Sequence, residues 1–158
     1  MAFLDRLLDS FDRFQVEYSL VGGYAVALHG APRGTVDIDC VIPHHVQQFI
    51  AIEKALIELG LKAKIPLTAS ELFVSRLNLI AQKNLIAWSF VNPSNPIECV
   101  DVLISYDLNA LESVDFKYGQ RVIKVVALDQ LIAMKKQSAR PQDLEDVRAL
   151  EVIRARKI

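Results

Sequence analysis

The sequence predicts a two-layer α+β (α/β) domain, with a small, mixed, mostly antiparallel sheet and helices mainly on one face. Three observations predict it. Segments with apolar residues at helical spacing open and close the chain. Between them lie short β-branched runs, and two pairs of these are separated by turn clusters that read as antiparallel hairpins. A length of 158 residues suits one domain with its own core, and no repeat, low-complexity tract or linker divides it. Residues 1–158 are therefore expected to form a single domain, with C-terminal helices from about residue 128.

Composition narrows the function classes. Apolar content of 52% with 23% charged residues describes a globular chain rather than a disordered one. A formal net charge of −1 gives no global support for wrapping a long nucleic acid, although a local basic patch stays open. Cys40 and Cys99 both sit in apolar runs without metal-ligand spacing, so they are expected as buried free thiols. No apolar run approaches the ~20 residues of a membrane span. The N-terminal segment is acidic and lacks the apolar region of a signal peptide, so a cytoplasmic setting is expected.

Residues 2–14 read as a helix, because Phe3, Leu4, Leu7, Leu8, Phe11 and Phe14 recur at helical spacing. Tyr18–Val21 is the first strand. Gly22-Gly23 turns the chain into a short helix from Tyr24 to Leu28, which Gly30 ends. The glycines let backbone approach a ligand, and a helix start offers free N–H groups to an anion. They fit neither a Rossmann fingerprint nor a P-loop, since the third glycine and the Gly-Lys-Ser/Thr sequence are missing.

Arg33 and Thr35 lie in the turn before a second apolar run. Arg33 suits either a phosphate or a nearby carboxylate. In that run Asp37 and Asp39 alternate with Val36, Ile38 and Cys40, so on a strand both carboxylates share one face. Like charges so close raise each other's pKa, and a divalent cation removes the conflict.

Residues 44–59 read as a helix stopped by Gly60, with Val46, Phe49, Ile50, Leu56 and Leu59 inward and His44-His45 solvated in its first turn. Ser70–Ile80 forms a further helix, with Arg76 and Lys83 as solvated charge. Leu85–Val91 and Ile97–Ile104 flank Asn92–Pro96 as a hairpin. Glu98 and Asp101 are acids in this apolar second run, and an unpaired buried carboxylate is costly. They lie an odd number of residues apart and so face opposite ways.

Leu108–Leu111 reads as a helical turn, and Phe116–Tyr118 with Arg121–Val126 as a hairpin about Gly119-Gln120. Leu128–Ala139 is a helix, broken at Arg140-Pro141. Pro141 starts the last helix, which runs to about Arg156 with Leu144, Val147, Leu150 and Ile153 inward.

The run Val21-Gly22-Gly23, roughly ten residues, then Asp37-Ile38-Asp39 resembles the signature of the DNA polymerase beta-like nucleotidyltransferase superfamily. The fuller wording, Gly-Gly-Tyr-Ala-Val-Ala-Leu-His-Gly-x-x-Arg-x-Thr-x-Asp-Ile-Asp, is similar to the abortive-infection-type branch, many of whose members are toxins of bacterial toxin–antitoxin pairs. Lys135, Arg140, Asp143 and Asp146 resemble the second family signature, a Lys-bearing helix followed by Arg and an Asp-Leu-x-Asp helix start.

The resemblance implies a nucleotidyltransferase fold with the active site on the sheet face opposite most helices. It implies two Mg²⁺ ions, or Mn²⁺ in their place, held by Asp37, Asp39 and Asp101. Glu98 is the alternative to Asp101. It further implies that Gly22, Gly23, Arg33, Thr35, Lys135 and Arg140 hold a nucleoside triphosphate, with Lys136 as the alternative to Lys135 and Asp143 supporting the basic residues. The expected activity is transfer of a nucleoside monophosphate to a hydroxyl of RNA, protein or a small molecule, with an antitoxin protein as partner if the chain is a toxin. Two other readings stand beside it. One is a non-catalytic nucleotide- or partner-binding module on this fold. The other is a structural domain whose acids pair with Arg33, Lys135 and Arg140.

Overall fold

The computed structural model describes residues 2–157. Its elements in chain order are α1 (Phe3–Arg13), β1 (Ser19–Val21), α2 (Gly22–Leu28), β2 (Ile38–Val41) and α3 (Val46–Glu58). There follow β3 (Lys62–Ala63), α4 (Ala69–Lys83), β4 (Ala87–Asn92), β5 (Asn95–Leu103) and a 3₁₀ turn (Leu108–Ala110). The chain ends with β6 (Ser113–Tyr118), β7 (Arg121–Val126), α5 (Leu128–Ser138) and α6 (Pro141–Arg156).

The seven strands form one sheet in the order β3-β4-β5-β2-β1-β7-β6. Four of its pairings are antiparallel, and two are parallel, β1 with β7 and β2 with β5. The expected mixed, mostly antiparallel sheet is therefore what forms. Both expected hairpins are present, and Pro93-Ser94 alone joins β4 to β5. Pro96 is tolerated inside β5 because β2 pairs only from Val100 onward, so no neighbour there needs its missing N–H. β3 was not foreseen; two residues carry too little alternation to read as a strand.

Alternation of side chains across the sheet sorts the residues. One face carries Leu20, Ile38, Cys40, Trp88, Phe90, Val100 and Val102, all fully buried. Phe49 of α3 stacks on Trp88 at 5.8 Å and meets Phe73 of α4 edge-on at 5.2 Å, while Trp88 meets Phe90 at 4.8 Å. Each such large side chain contributes about 1.5–3 kcal/mol on burial. Ser10 Oγ of α1 donates to the Ala55 carbonyl of α3 at 2.8 Å, and the Arg6–Glu98 ion pair joins α1 to β5. Helices α1, α3 and α4 thus cover this face. On the other face of β2, β4 and β5, Asp39, Ser89, Cys99, Asp101 and Leu103 are only half-buried.

Several local readings are corrected. α2 begins at Gly22 rather than Tyr24. α4 runs one residue earlier and three residues later than expected; Thr68 and Glu71 cap its start reciprocally, Thr68 Oγ1 accepting from Glu71 N at 3.2 Å and Glu71 Oε1 from Thr68 N at 3.0 Å, and Asn84 at φ 52 ends it after Lys83. His44 is not a solvated first-turn residue. It precedes α3, lies half-buried edge-on to Phe49 at 5.9 Å, and His45 caps the helix by accepting from Gln47 N. Arg76 folds over the Phe73 ring at 3.9 Å instead of standing in solvent. Leu144 is 42% exposed, because the inward stripe at the start of α6 is taken by Asp143 and Asp146. Both cysteines are free as expected, but Cys99 is half-buried, on the open face. No helix among the described residues is long and apolar enough to cross a membrane.

Candidate active site

The acids come together through register. β1 pairs Val21 with Asp39, and β2 pairs Asp39 with Asp101. Asp39 and Asp101 therefore stand side by side on the open face. Burial, and then the charge and hydrogen bonding of Asp101, push the Asp39 carboxyl up to about 7. Asp37 adds to that rise and Lys135 opposes it. Asp37 does not share the strand as the alternation predicted. Pairing starts at Ile38, so Asp37 occupies the bend before β2 and is exposed. Among the described residues no three acid, histidine or cysteine side chains already converge in metal-ligating geometry.

The donor set nonetheless suits a hard divalent cation. It consists of oxygen ligands only, with a half-buried carboxylate pair whose mutual repulsion is relieved only in part by a lysine.

Gly22 adopts φ +68, and a Cβ there would stand 2.8 Å from Asp39 Cγ, in overlap with the carboxylate. The backbone at the start of α2 therefore lies directly against Asp39, an approach only glycine permits. A Cβ on Gly23 would stand 2.9 Å from the Thr35 side chain and 3.4 Å from Arg33 Cζ. The loop carrying Arg33 and Thr35 is thus folded over the glycine pair. Thr35 Oγ1 donates to the Asp37 carbonyl at 3.3 Å, which ties this loop to the bend.

Beside the glycines lies a hub of buried charge. Lys135 of α5 is 7% exposed, and Asp143 and Asp146 of α6 are 1% and 3% exposed. Lys135 Nζ donates to Asp143 Oδ1 at 3.2 Å and lies 3.0 Å from Asp146 Oδ2, an ion contact without hydrogen-bond alignment. Asp143 Oδ2 accepts from Arg140 N at 3.1 Å and from Arg140 Nε at 2.8 Å. Burial would raise the Asp143 carboxyl, but hydrogen bonds from Arg140, Ser138 and Lys135 outweigh it and hold the group well below its ordinary range. Asp146 Oδ1 accepts from Arg33 Nε at 3.2 Å and from Gln142 Nε2 at 3.1 Å. Three cations, Arg33, Lys135 and Arg140, thus share two acids, and the hub keeps one positive charge in excess.

The alternatives separate spatially. Glu98 faces the helices, is 8% exposed, and pairs with Arg6 and with Asn92 Nδ2. Lys136 points away from the hub to Glu151 at 3.0 Å. Arg33 forms the carboxylate pair open to it from the sequence, while Nη1 donates to the Gly34 carbonyl at 2.6 Å. The joint hold of Asp146 on Arg33 and Lys135 escaped the sequence reading, where Asp146 stood only as the second acid of the Asp-Leu-x-Asp helix start. Two cavities of about 310 and 350 Å³ lie beside Phe3 and Tyr24, with Thr35 and Val36 at the rim of the second, away from the Asp39–Asp101 pair. Asp39 and Asp101 are half-buried on their face, while Val21 and Val41 on the same face are buried.

No family model and no curated protein matches the sequence. Solved structures do match its fold. The antibiotic-resistance factor ANT(2'')-Ia aligns with a TM-score of 0.64 at 14% identity, over 97% of this chain and 88% of that one. The lincosamide antibiotic adenylyltransferase LnuA, in its lincomycin-bound crystal structure, aligns with a TM-score of 0.65 at 17% identity, over 96% of each chain. An antigenic nucleotidyltransferase-like protein from Paracoccidioides brasiliensis aligns with a TM-score of 0.54 at 15% identity, over 94% of this chain and 74% of that one. The chain has the nucleotidyltransferase fold.

Proposed function

We propose that this chain is a metal-dependent nucleotidyltransferase, which moves a nucleoside monophosphate from a nucleoside triphosphate to an acceptor hydroxyl. The observation that carries the reading is the Asp39–Asp101 pair, held half-buried on the sheet face opposite α1, α3 and α4, against the backbone of Gly22. Its fold neighbours include the adenylyltransferase LnuA and ANT(2'')-Ia, the latter also solved in complex with adenylyl-2''-tobramycin.

Asp37, Asp39 and Asp101 would hold Mg²⁺, which when bound supplies charge stabilisation at the reacting phosphate and lowers the pKa of a coordinated hydroxyl. The Gly22-Gly23 backbone would offer its N–H groups to phosphate oxygens beside Asp39. Arg33, Lys135 and Arg140 bring the positive excess of their hub to the triphosphate, Thr35 lines the same turn, and Asp143 holds Lys135 and Arg140 in place. The acceptor oxygen forms a bond to the α-phosphorus as the bond to the bridging oxygen breaks, and pyrophosphate leaves. Asp101, on the outer side of the pair toward β4, takes the acceptor proton. Positioning and preorganised charge account for the rate, with no covalent enzyme intermediate.

Residues 1–158 act as one catalytic domain, with α5 and α6 completing its nucleotide side. Three acceptor classes are to be tested: RNA, protein and small molecules. The toxin-like branch and an antitoxin partner rest on the sequence wording from Gly22 to Asp39 alone.

The test is incubation with each α-labelled nucleoside triphosphate and Mg²⁺, with small hydroxyl compounds, RNA and protein extract as separate acceptors, beside Asp39→Ala. Label transferred by the wild type and not by the variant supports the reading. Mg²⁺-dependent nucleotide binding without transfer to any acceptor class favours the binding module instead, and absence of binding overturns both.

A further inference from the structure

We infer that Asp146 is a positioning residue for the nucleotide, which fixes the loop before β2 to α5 through Arg33 and Lys135. The inference rests on the nucleotidyltransferase reading above. Asp146 lies in the second turn of α6 and is 3% exposed. Its two oxygens serve different elements. Oδ1 accepts from Arg33 Nε at 3.2 Å, and Oδ2 lies 3.0 Å from Lys135 Nζ. Gln142, one turn earlier on α6, holds Oδ1 from its own helix at 3.1 Å. Asp143 reaches Lys135 and Arg140 but not the loop. Among the described residues, Asp146 is thus the one carboxylate that joins the loop and α5.

What Asp146 fixes is the wall of the glycine turn. Arg33 Cζ stands 3.4 Å from where a Gly23 Cβ would be, and Thr35 stands 2.9 Å from it. Thr35 in turn donates to the carbonyl of Asp37. A continuous set of contacts therefore runs from Asp146 through Arg33 and the turn to the bend bearing Asp37. With Nε and Nη1 engaged, Arg33 keeps Nη2 free of protein partners among the described residues, beside the glycine backbone. A planar guanidinium fixed at Nε and Nη1 presents Nη2 to a phosphate in a set orientation, which a lysine's point charge cannot reproduce. Without the Asp146 charge, Lys135 would keep Asp143 alone, and Arg33 would lose the one carboxylate that, among the described residues, anchors the loop.

The experiment is calorimetric titration of Mg²⁺ complexes of non-hydrolysable analogues of the four ribonucleoside triphosphates. The proteins are the wild type, Asp146→Asn, Arg33→Met, Arg33→Lys and the Asp146→Asn/Arg33→Met double variant, each checked for folding by circular dichroism. Asp146→Asn and Arg33→Met should each weaken binding tenfold or more, and the double variant should bind no more weakly than the weaker single, because the two residues act as one unit. Arg33→Lys should bind as poorly as Arg33→Met, which separates positioning from charge alone and carries the test if Asp146→Asn does not fold. Full losses that multiply in the double variant, or wild-type affinity in Asp146→Asn or Arg33→Lys, overturn the inference and leave the functional reading standing. A wild type that binds none of the analogues overturns both.

Discussion

Asp39 and Asp101 are direct register partners on the parallel strands β2 and β5, with both carboxylates half-buried on the sheet face opposite α1, α3 and α4. The sheet pairing itself sets two like charges beside each other, and burial sharpens the conflict. A residue kept at such a cost serves a ligand rather than the fold. Asp39→Asn should therefore raise the melting temperature of the metal-free protein while lowering transfer at least about a hundredfold. Mg²⁺ should raise the melting temperature of the wild type and leave that of Asp39→Asn unmoved. Thermal unfolding with and without Mg²⁺ checks both, and a variant less stable than the metal-free wild type would contradict the assignment.

Gly22 should resist substitution for two reasons that add. Its φ of +68 costs an alanine about 1–2 kcal/mol, and the new Cβ would displace the Asp39 carboxylate. Gly22→Ala is expected to lose stability in urea unfolding and to lose Mg²⁺ binding. Gly34→Ala is the control. It lies in the loop between α2 and β2 with open space where its Cβ would stand, and its stability should stay within about 0.5 kcal/mol of the wild type.

Asp143 makes stability depend on pH. Its folded carboxyl is held below its ordinary 3.8, so the folded state binds fewer protons there than the unfolded chain. The resulting stabilisation is fully present above that ordinary value and is lost as pH falls toward the folded value. Asp143→Asn should cost about 3 kcal/mol at pH 7, by leaving Lys135 short of a buried partner. The gap between variant and wild type should narrow as pH drops from 5 to 2. Denaturant titrations across that range measure it, and a gap that stays constant would reject this role for Asp143.

Much of this fold is legible in the sequence because its signals are local. The spacing from Phe3 to Phe11, the turn after Asn92 and Pro141 at a helix start each fix an element from a few neighbouring residues. Asp39 and Asp101 stood out because they interrupt apolar runs. What stayed hidden depends on distant partners. That Asp37 falls outside the strand follows from where Val100 of β5 begins to pair with β2. The inward turn of Asp146 follows from Arg33, 113 residues earlier. Leu144 was expected inside because periodicity favours the apolar residue, whereas a buried lysine required the acids there.

Glu98 and Asp101 lie on one strand but face opposite layers, and substitution should separate them. Glu98 neutralises Arg6 and accepts from Asn92 Nδ2 at 2.9 Å on the helix side. Glu98→Gln should lower stability by about 1–2 kcal/mol, in line with a partly exposed charged hydrogen bond, and leave transfer intact. Asp101→Asn should abolish transfer with little loss of stability. Parallel unfolding and label-transfer measurements decide, and the opposite pattern would make Glu98 the third catalytic acid.

The adjacent lysines of α5 offer the same kind of contrast on the nucleotide side. Adjacent helical residues point about 100° apart, so only one can enter the hub. Lys135 does, at 7% exposure between Asp143 and Asp146, while Lys136 meets Glu151 in solvent. Lys135→Met leaves the two buried carboxylates with one cation each, Arg140 and Arg33, and should cost about 3 kcal/mol. Lys136→Met removes an exposed pair worth at most about 1 kcal/mol. Affinity for the Mg²⁺–nucleotide complex should follow the same order, falling at least tenfold in Lys135→Met and by less than twofold in Lys136→Met. Should Lys135→Met prove too unstable to titrate, Lys135→Arg keeps the charge but not the fit of a compact ammonium between two acids, and it too should bind weakly. Loss of nucleotide affinity in Lys136→Met alone would reverse the assignment and place the outer face of α5, rather than the hub, against the phosphates.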